Sequence, residues 1–177
     1  MTSAGTEGSL FRIARVADAE AIAQLHDRSI RSAYRKIIPV SVLDTMRLAE
    51  RAARWREWIL DTEIDVLLRE VADEVVGFVS LLPSRDPDAD PRRVCEIPTL
   101  YVDPSHWRAR YGSDLLHAAL GLARERGFRE VTLWVLEENR LARRFYEAHE
   151  FRWDGSTKPD PSLPEPALTA VRYRKRL

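Results

Sequence analysis

The segment Leu100-Tyr-Val-Asp-Pro-Ser-His-Trp-Arg-Ala-Arg-Tyr-Gly-Ser-Asp-Leu-Leu116 changes character twice in a short span. It begins as the end of an apolar run, Val94 to Val102, that reads as a buried strand stopped by Asp103-Pro104. A short basic turn follows. Leu115, Leu116, Ala119, Leu120, Leu122 and Ala123 then share one helical face, in a helix that starts near Gly112 and ends at Gly127. At such a junction the first helical N–H groups have no intrahelical partner, and the helix dipole adds partial positive charge. That combination binds phosphate. Arg108 and Arg110 bring further charge to the turn, although a basic turn with one glycine is also an ordinary connection with solvated arginines.

On either side, strands and helices alternate. Phe11, Ile13 and Val16 suggest a short strand, and Asp18 caps a helix carried by Ala21, Ile22, Leu25 and Ile30 to about Tyr34. From Pro39, Val42, Leu43, Met46, Trp55, Trp58 and Ile59 mark one or two more helices, with Trp55 and Trp58 on one face for packing. Ile64 to Val71 and Val75 to Leu82 read as a hairpin about Asp73-Glu74. Ser84 to Arg93 is a loop, and Val131 to Leu136 a strand. Asn139 caps a short helix to about Ala148, and Phe151 and Trp153 lie in a strand. Gly155 to Ala167 is loop-like, and Leu168 to Tyr173 forms the last strand. This order predicts a mixed α/β domain with a partly parallel sheet over residues 11–177, preceded by a frayed tail at residues 1–10.

The charge count, 28 basic against 28 acidic residues, weakens the electrostatic case for a nucleic-acid or membrane-surface partner, with local basic clusters still open, and neither partner is expected. No apolar run reaches the roughly 20 residues of a membrane span, and the start MTSAGTEGSL lacks the pattern of a secretion signal. The expectation is a cytoplasmic protein. One cysteine, Cys95, allows no internal disulfide and reads as a buried strand residue. Asp86-x-Asp88-x-Asp90 opens like a calcium loop, but Pro91 stands where the turn glycine is needed and Ile97 where the final glutamate is needed. His26, His106, His117 and His149 form no metal-binding spacing, so no metal is expected. Arg172, Arg174, Lys175 and Arg176 read as a solvated strand edge.

A second segment, Asn139-Arg-Leu-Ala-Arg-Arg-Phe-Tyr-Glu-Ala-His-Glu-Phe151, places Asn139, Ala142 and Tyr146 on one helical face. Leu141 and Phe145 share another face, suited to burial against the sheet. Tyr146 then either packs or points its hydroxyl into a cleft. Together the two segments resemble the GNAT acetyltransferase superfamily. Val102-Asp-Pro104 and Trp107-Arg-Ala-Arg-Tyr-Gly112 stand where the family has V-x-P and [QR]-x-x-G-x-[GA]. Asn139, Ala142, Phe145, Tyr146, Glu147 and Phe151 match its N-x-x-A-x-x-F-Y-E-x-x-G-F, and Glu96-Ile-Pro-Thr-Leu-Tyr-Val102 is similar to its E-I-x-x-L-Y-V. Three positions depart from the pattern: Trp107 replaces glutamine or arginine, Arg110 the first glycine, and Glu150 the glycine before Phe151.

The resemblance implies a central, strongly twisted mixed sheet of about seven strands with about four helices. It also implies acetyl-CoA as co-substrate and a small-molecule or peptide primary amine as acceptor. The cofactor would lie on Leu100, Tyr101 and Val102, on the turn of Arg108, Ala109, Arg110, Tyr111, Gly112 and Ser113, and beside Asn139. Pro98, lacking an N–H, would help part its strand from the neighbour. Glu96 would accept the amine proton, directly or through water, and Tyr146 would protonate the leaving thiolate. On residue type alone Glu96 is equally a structural carboxylate. The acceptor pocket would involve Ser29, Ser32 and Tyr34, and a homodimer would suit the fold. With Arg110 at an ordinary negative φ, backbone N–H groups would still serve the pyrophosphate. A non-catalytic acyl-CoA-binding module on the same fold is the alternative. A nucleotide-binding oxidoreductase is disfavoured by the missing G-x-G-x-x-G.

Overall fold

The computed structural model describes residues 11–43, 47–160 and 168–177. The tail at residues 1–10, Met46 and most of the loop before the last strand lie outside them. The described strands are β1 (Phe11–Ile13), β2 (Asp65–Val71), β3 (Glu74–Pro83), β4 (Val94–Val102), β5 (Glu130–Leu136), β6 (Arg152–Pro159) and β7 (Thr169–Arg176). Four longer helices accompany them: α1 (Ala19–Tyr34), α3 (Leu48–Leu60), α4 (Tyr111–Glu125) and α5 (Arg140–Ala148). Between α1 and α3 lies a single turn, α2 (Val40–Leu43). The strands form one sheet in the order β1-β2-β3-β4-β5-β7-β6. Every pairing is antiparallel except β4 with β5. The mixed α/β fold with about seven strands and four helices is thus as expected.

Local chemistry accounts for most boundaries. The β2–β3 hairpin turns on Ala72 and Asp73, at φ 50° and 64°. Positive φ at both central residues suits the right-handed twist of the flanking strands. Helix α4 ends before Gly127 at φ 86°. The expected role of Asp18 is corrected: its carboxylate takes the Arg15 N–H and the Arg12 guanidinium, and so closes the turn before α1 instead of capping α1 itself. The reading of residues 155–159 as loop is also corrected. They extend β6, because Thr157, Lys158 and Pro159 pair with Val171, Ala170 and Thr169, and Trp153-to-Thr157 absorbs the register shift.

Two packed layers cover the sheet. On one face α1 and α3 bury Ile22, Leu25 and Trp55 against Leu68 and Phe78. On the other, α4 and α5 bury Leu115, Leu116, Ala119 and Tyr146 against Val79, Cys95, Ile97, Leu133 and Val171. Each fully buried large apolar side chain contributes roughly 1.5–3 kcal/mol. Gly77 on β3 lets α4 come this close, since a Cβ there would stand 2.8 Å from Leu115 Cδ1 and 3.0 Å from the Tyr101 carbonyl oxygen. A valine at Gly77 would press the start of α4 off the sheet.

Candidate active site

The parallel pairing of β4 with β5 covers only Val94–Glu130, Cys95–Val131 and Glu96–Thr132. Beyond Glu96 the two strands part. The departure coincides with a bulge in β4: Ser80 opposes Thr99 and Leu82 opposes Glu96, so Ile97 and Pro98 together face Leu81. An extra residue bends its strand, and proline offers no N–H to the neighbour, so this is where the ladder fails. Past the bulge, the Asp103 N–H bonds Val76 O on β3, which turns the Val102 carbonyl the other way, into the split. By strand alternation the Leu100 N–H and C=O face the split as well.

The turn at the mouth of the split is tighter than an ordinary connection. Asp103 Oδ1 accepts from the Ser105 N–H at 3.0 Å, and Asp103 Oδ2 pairs with Arg28 of α1 at 2.6 Å. Arg108 and Arg110 both lie in the left-handed region, at φ 65° and 66°, with Arg110 the residue preceding α4. The expectation of negative φ at Arg110 is therefore wrong. Glycine's freedom is used here without glycine, at a cost of roughly 1–2 kcal/mol for each such residue. The geometry leaves the N–H groups of Tyr111, Gly112 and Ser113 at the start of a fifteen-residue helix, where anions are favoured. A Cβ on Gly112 would meet Phe145 at 3.6 Å and Val102 at 3.8 Å, ordinary contacts, so internal packing does not demand glycine there.

Trp107 does more than border the split. Its indole Nε1–H donates to the Val102 carbonyl at 2.8 Å, and the Ser29 hydroxyl donates to the same oxygen at 3.1 Å. Of the three residues expected in the acceptor pocket, Ser29 is thus placed against β4, and Ser32 is half-buried on the same helix. Tyr34 stands at the centre of a phenol cluster. Its hydroxyl stands beside Tyr101 and Asn139, whose influence on its pKa opposes that of burial. Asn139 Oδ1 accepts the Ala142 N–H at 3.2 Å as the cap of α5, so its amide NH2 is the donor it can offer beside Tyr34.

Tyr146 is the one buried residue of α5, and its phenol approaches Tyr34 and Tyr101. Burial first, and then the neighbouring Tyr34, push the Tyr146 pKa above its ordinary value. Tyr101 is raised well above its own by the same causes. All three phenols stay protonated at neutral pH, fit to donate a hydrogen bond and unfit to act as bases. The Tyr146 hydroxyl bonds no described residue, which leaves it open to a ligand. The positional argument for that availability is corrected, however. Leu141 is 73% exposed and Phe145 only half-buried, so the face assigned to the core is not the buried one.

Glu96 is buried at the closed end of the split, on the face of α1 and α3. Arg85 holds it with two hydrogen bonds, 2.7 Å to Oε1 and 3.1 Å to Oε2. Each oxygen keeps a further acceptor position. His26, against Tyr101, is held neutral: burial and then Arg51 lower its pKa to about 3, and the Trp55 indole donates to its Nδ1. Cys95 is buried, with its thiol pushed up to about 12 by desolvation, and is no nucleophile at neutral pH.

Sequence reading missed one cluster. Arg172, expected on a solvated edge, is only 5% exposed. Its guanidinium binds both Asp88 oxygens at 2.7 Å, Asp154 at 2.7 Å, the Ser156 hydroxyl at 2.8 Å and Asp86 at 3.2 Å. The aspartates that looked like half a calcium loop are the partners of an arginine, and they fasten the β3–β4 loop over β5 and β7. Asp86 also accepts the Trp134 indole N–H at 3.0 Å. The alternation of β7, with Val171 and Tyr173 inward on one face, would have put Arg172 on the other face beside the loop.

Comparison with known proteins gives the family and the fold. The model of the acetyltransferase (GNAT) family matches residues 27–151, and the chain belongs to that family. An uncharacterised N-acetyltransferase of Methanocaldococcus jannaschii is 35% identical over 97 residues, which is 54% of this chain and 43% of the relative. The matched part thus spans less than half of that relative's length. Among solved structures, the PaiA N-acetyltransferase of Thermoplasma acidophilum in complex with coenzyme A aligns with a TM-score of 0.76 at 18% identity, over 94% of this chain and 98% of that one. A putative acetyltransferase of Salmonella typhimurium with acetyl-CoA gives 0.70 at 22% identity, over 94% and 92%. No described helix is long and apolar enough to cross a membrane.

Proposed function

We propose that residues 11–177 form one acetyl-CoA-dependent N-acetyltransferase domain acting on a primary amine, in a cytoplasmic setting that suits its single buried cysteine. The observation that carries the reading is the split between β4 and β5. It exposes strand N–H and C=O groups along Leu100 and Val102 and opens toward the start of α4. The residues present fit the group: the Leu100 peptide groups, and the Val102 carbonyl once Trp107 releases it, for the amides of its pantetheine arm, the N–H groups of Tyr111–Ser113 at the start of α4 for its pyrophosphate, and Arg108 and Arg110 for added charge. Bound there, acetyl-CoA supplies the activated acetyl group.

This chain's residues then hold and move protons. Glu96 takes the proton of the attacking amine, directly or through a water, with Arg85 keeping the carboxylate in place. Tyr146 directs its unbonded hydroxyl at the departing sulfur. Tyr34 and Asn139 fix the wall from which it reaches. The test is thiol release from acetyl-CoA over a panel of primary amines, with the acetylated amine identified by mass. Amine-dependent release is expected. Tight CoA binding with no release for any amine would favour the non-catalytic module.

A further inference from the structure

Trp134 follows Thr132 by two residues on β5, and Thr132 pairs with Glu96 at the closed end of the split. The indole therefore lies on the same face as Glu96, about 7 Å further along the strand. Leu136, the next residue on that face, packs in the cluster that includes Tyr34 and Tyr101. Trp134 thus lines the β5 side of the split between the proposed base and the phenols. Its ring carries the Lys158 ammonium 3.9 Å from the centroid, with the Arg172 guanidinium at 5.6 Å.

Lys158 reaches this position from the sheet edge, where its backbone pairs with Ala170 on β7. Among the described residues its ammonium makes no hydrogen bond or ion pair, so the ring is its partner. An exposed contact of this kind is worth roughly 0.5–1 kcal/mol and is readily exchanged. The surroundings remain suited to a cation when Lys158 leaves. Three carboxylates, Asp86, Asp88 and Asp154, surround the one guanidinium of Arg172, and Arg174, which also reaches Asp154, is balanced by Glu130. Asp86 further accepts the indole N–H, which fixes the ring's orientation.

We infer that the Trp134 ring is a cation seat of the acceptor site, filled by Lys158 in the free protein and taken over by a second ammonium group of the acceptor. The substrate class is an alkylamine with two cationic centres, one amine reacting at the split and the other resting on Trp134. This inference rests on the acetyltransferase reading for the role of the site, but its test does not need turnover. The probes are 1,4-diaminobutane and 1-aminobutane, titrated in the presence of CoA into the parent protein and into Lys158→Met. The signal is the Trp134 indole N–H resonance, assigned with Trp134→Phe.

The diamine should move that resonance and the monoamine should not. In Lys158→Met the preference for diamine over monoamine should rise about fivefold, the equivalent of roughly 1 kcal/mol of removed competition. An unmoved indole resonance, or the same preference in both proteins, would overturn the cation seat. Failure of acetyl transfer with the binding preference intact would instead overturn the proposed activity.

Discussion

Replacing Arg110 by glycine should stabilise this protein, although it removes a charged side chain from the proposed pyrophosphate turn. Arg110 holds φ 66° immediately before α4, and its side chain is exposed. A Cβ in the left-handed region costs roughly 1–2 kcal/mol. Glycine recovers that strain but brings an unfolded-state entropy cost of roughly 0.5–1 kcal/mol. The balance is a gain of about 0.5–1 kcal/mol, or about 1–4 °C in Tm for a chain of this size. Arg110→Ala is the control, because alanine loses the same charge and keeps the strain. Thermal unfolding of the three proteins measures the difference, and calorimetry with CoA measures what the guanidinium adds. A solvent-screened contact with phosphate is worth up to about 1 kcal/mol, so the affinity of the glycine variant should stay within about tenfold. A glycine variant no more stable than the alanine variant would refute the strain argument. A loss of affinity well beyond tenfold would show that the side chain itself grips the phosphate.

Tyr146→Phe should leave the fold and CoA affinity nearly unchanged and lower turnover by about 10- to 100-fold, since a phenol with a raised pKa is a weak acid toward a thiolate; steady-state rates with several amines check this, and parental rates would make solvent the acid. Glu96→Gln should lower the rate at neutral pH by about 10²-fold with CoA affinity retained, and an unchanged rate would move the base elsewhere. Arg172→Met should destabilise by roughly 3 kcal/mol, because Asp86 and Asp154 lose their main partner, and Tm should fall by about 6–12 °C. Hydrogen bonding to Arg172 lowers the Asp88 pKa from 3.8 to about 2. A depressed carboxylate pKa adds stability above the unfolded value that is lost as pH falls through the folded one. The parent should therefore lose stability between pH 4 and pH 2 more steeply than Arg172→Met, and parallel acid curves would contradict this.

The order of elements was legible because each carries a local signal. Gly127 ends α4, Asn139 caps α5, and the run Val94–Val102 matches β4 residue for residue. Pro98 marked where β4 would part from β5, since a missing N–H acts whatever the tertiary context. The candidate site was legible as a pair of motifs, yet three of its features depend on contacts between distant segments. The positive φ at Arg110 is no property of arginine and belongs to a turn whose first residues, Asp103 to Ser105, are tied to α1 through Arg28, 75 residues away in the chain. Trp107 spends its N–H on Val102, which no spacing rule anticipates. The burial of Arg172 needs three aspartates, two from the β3–β4 loop and one from β6. A basic residue on a strand reads as solvated until its partners are in place. Leu141 shows the converse, an apolar residue at the right spacing on a helix too short and too exposed to bury it.

The most direct test of the account is a map of backbone amide shifts on adding CoA to the nitrogen-labelled protein. If the split between β4 and β5 holds the cofactor, the largest shifts fall on Leu100, Val102, Tyr111, Gly112 and Ser113, with the Trp107 indole N–H leaving the Val102 carbonyl. A cleft of about 620 Å³ lies at the opposite end of the sheet, lined by Arg93, Gly127, Arg129, Glu130, Arg176 and Leu177, and its arginines could also attract a phosphorylated ligand. Shifts confined to that cleft, or none at the split with CoA at saturating concentration, would contradict the account.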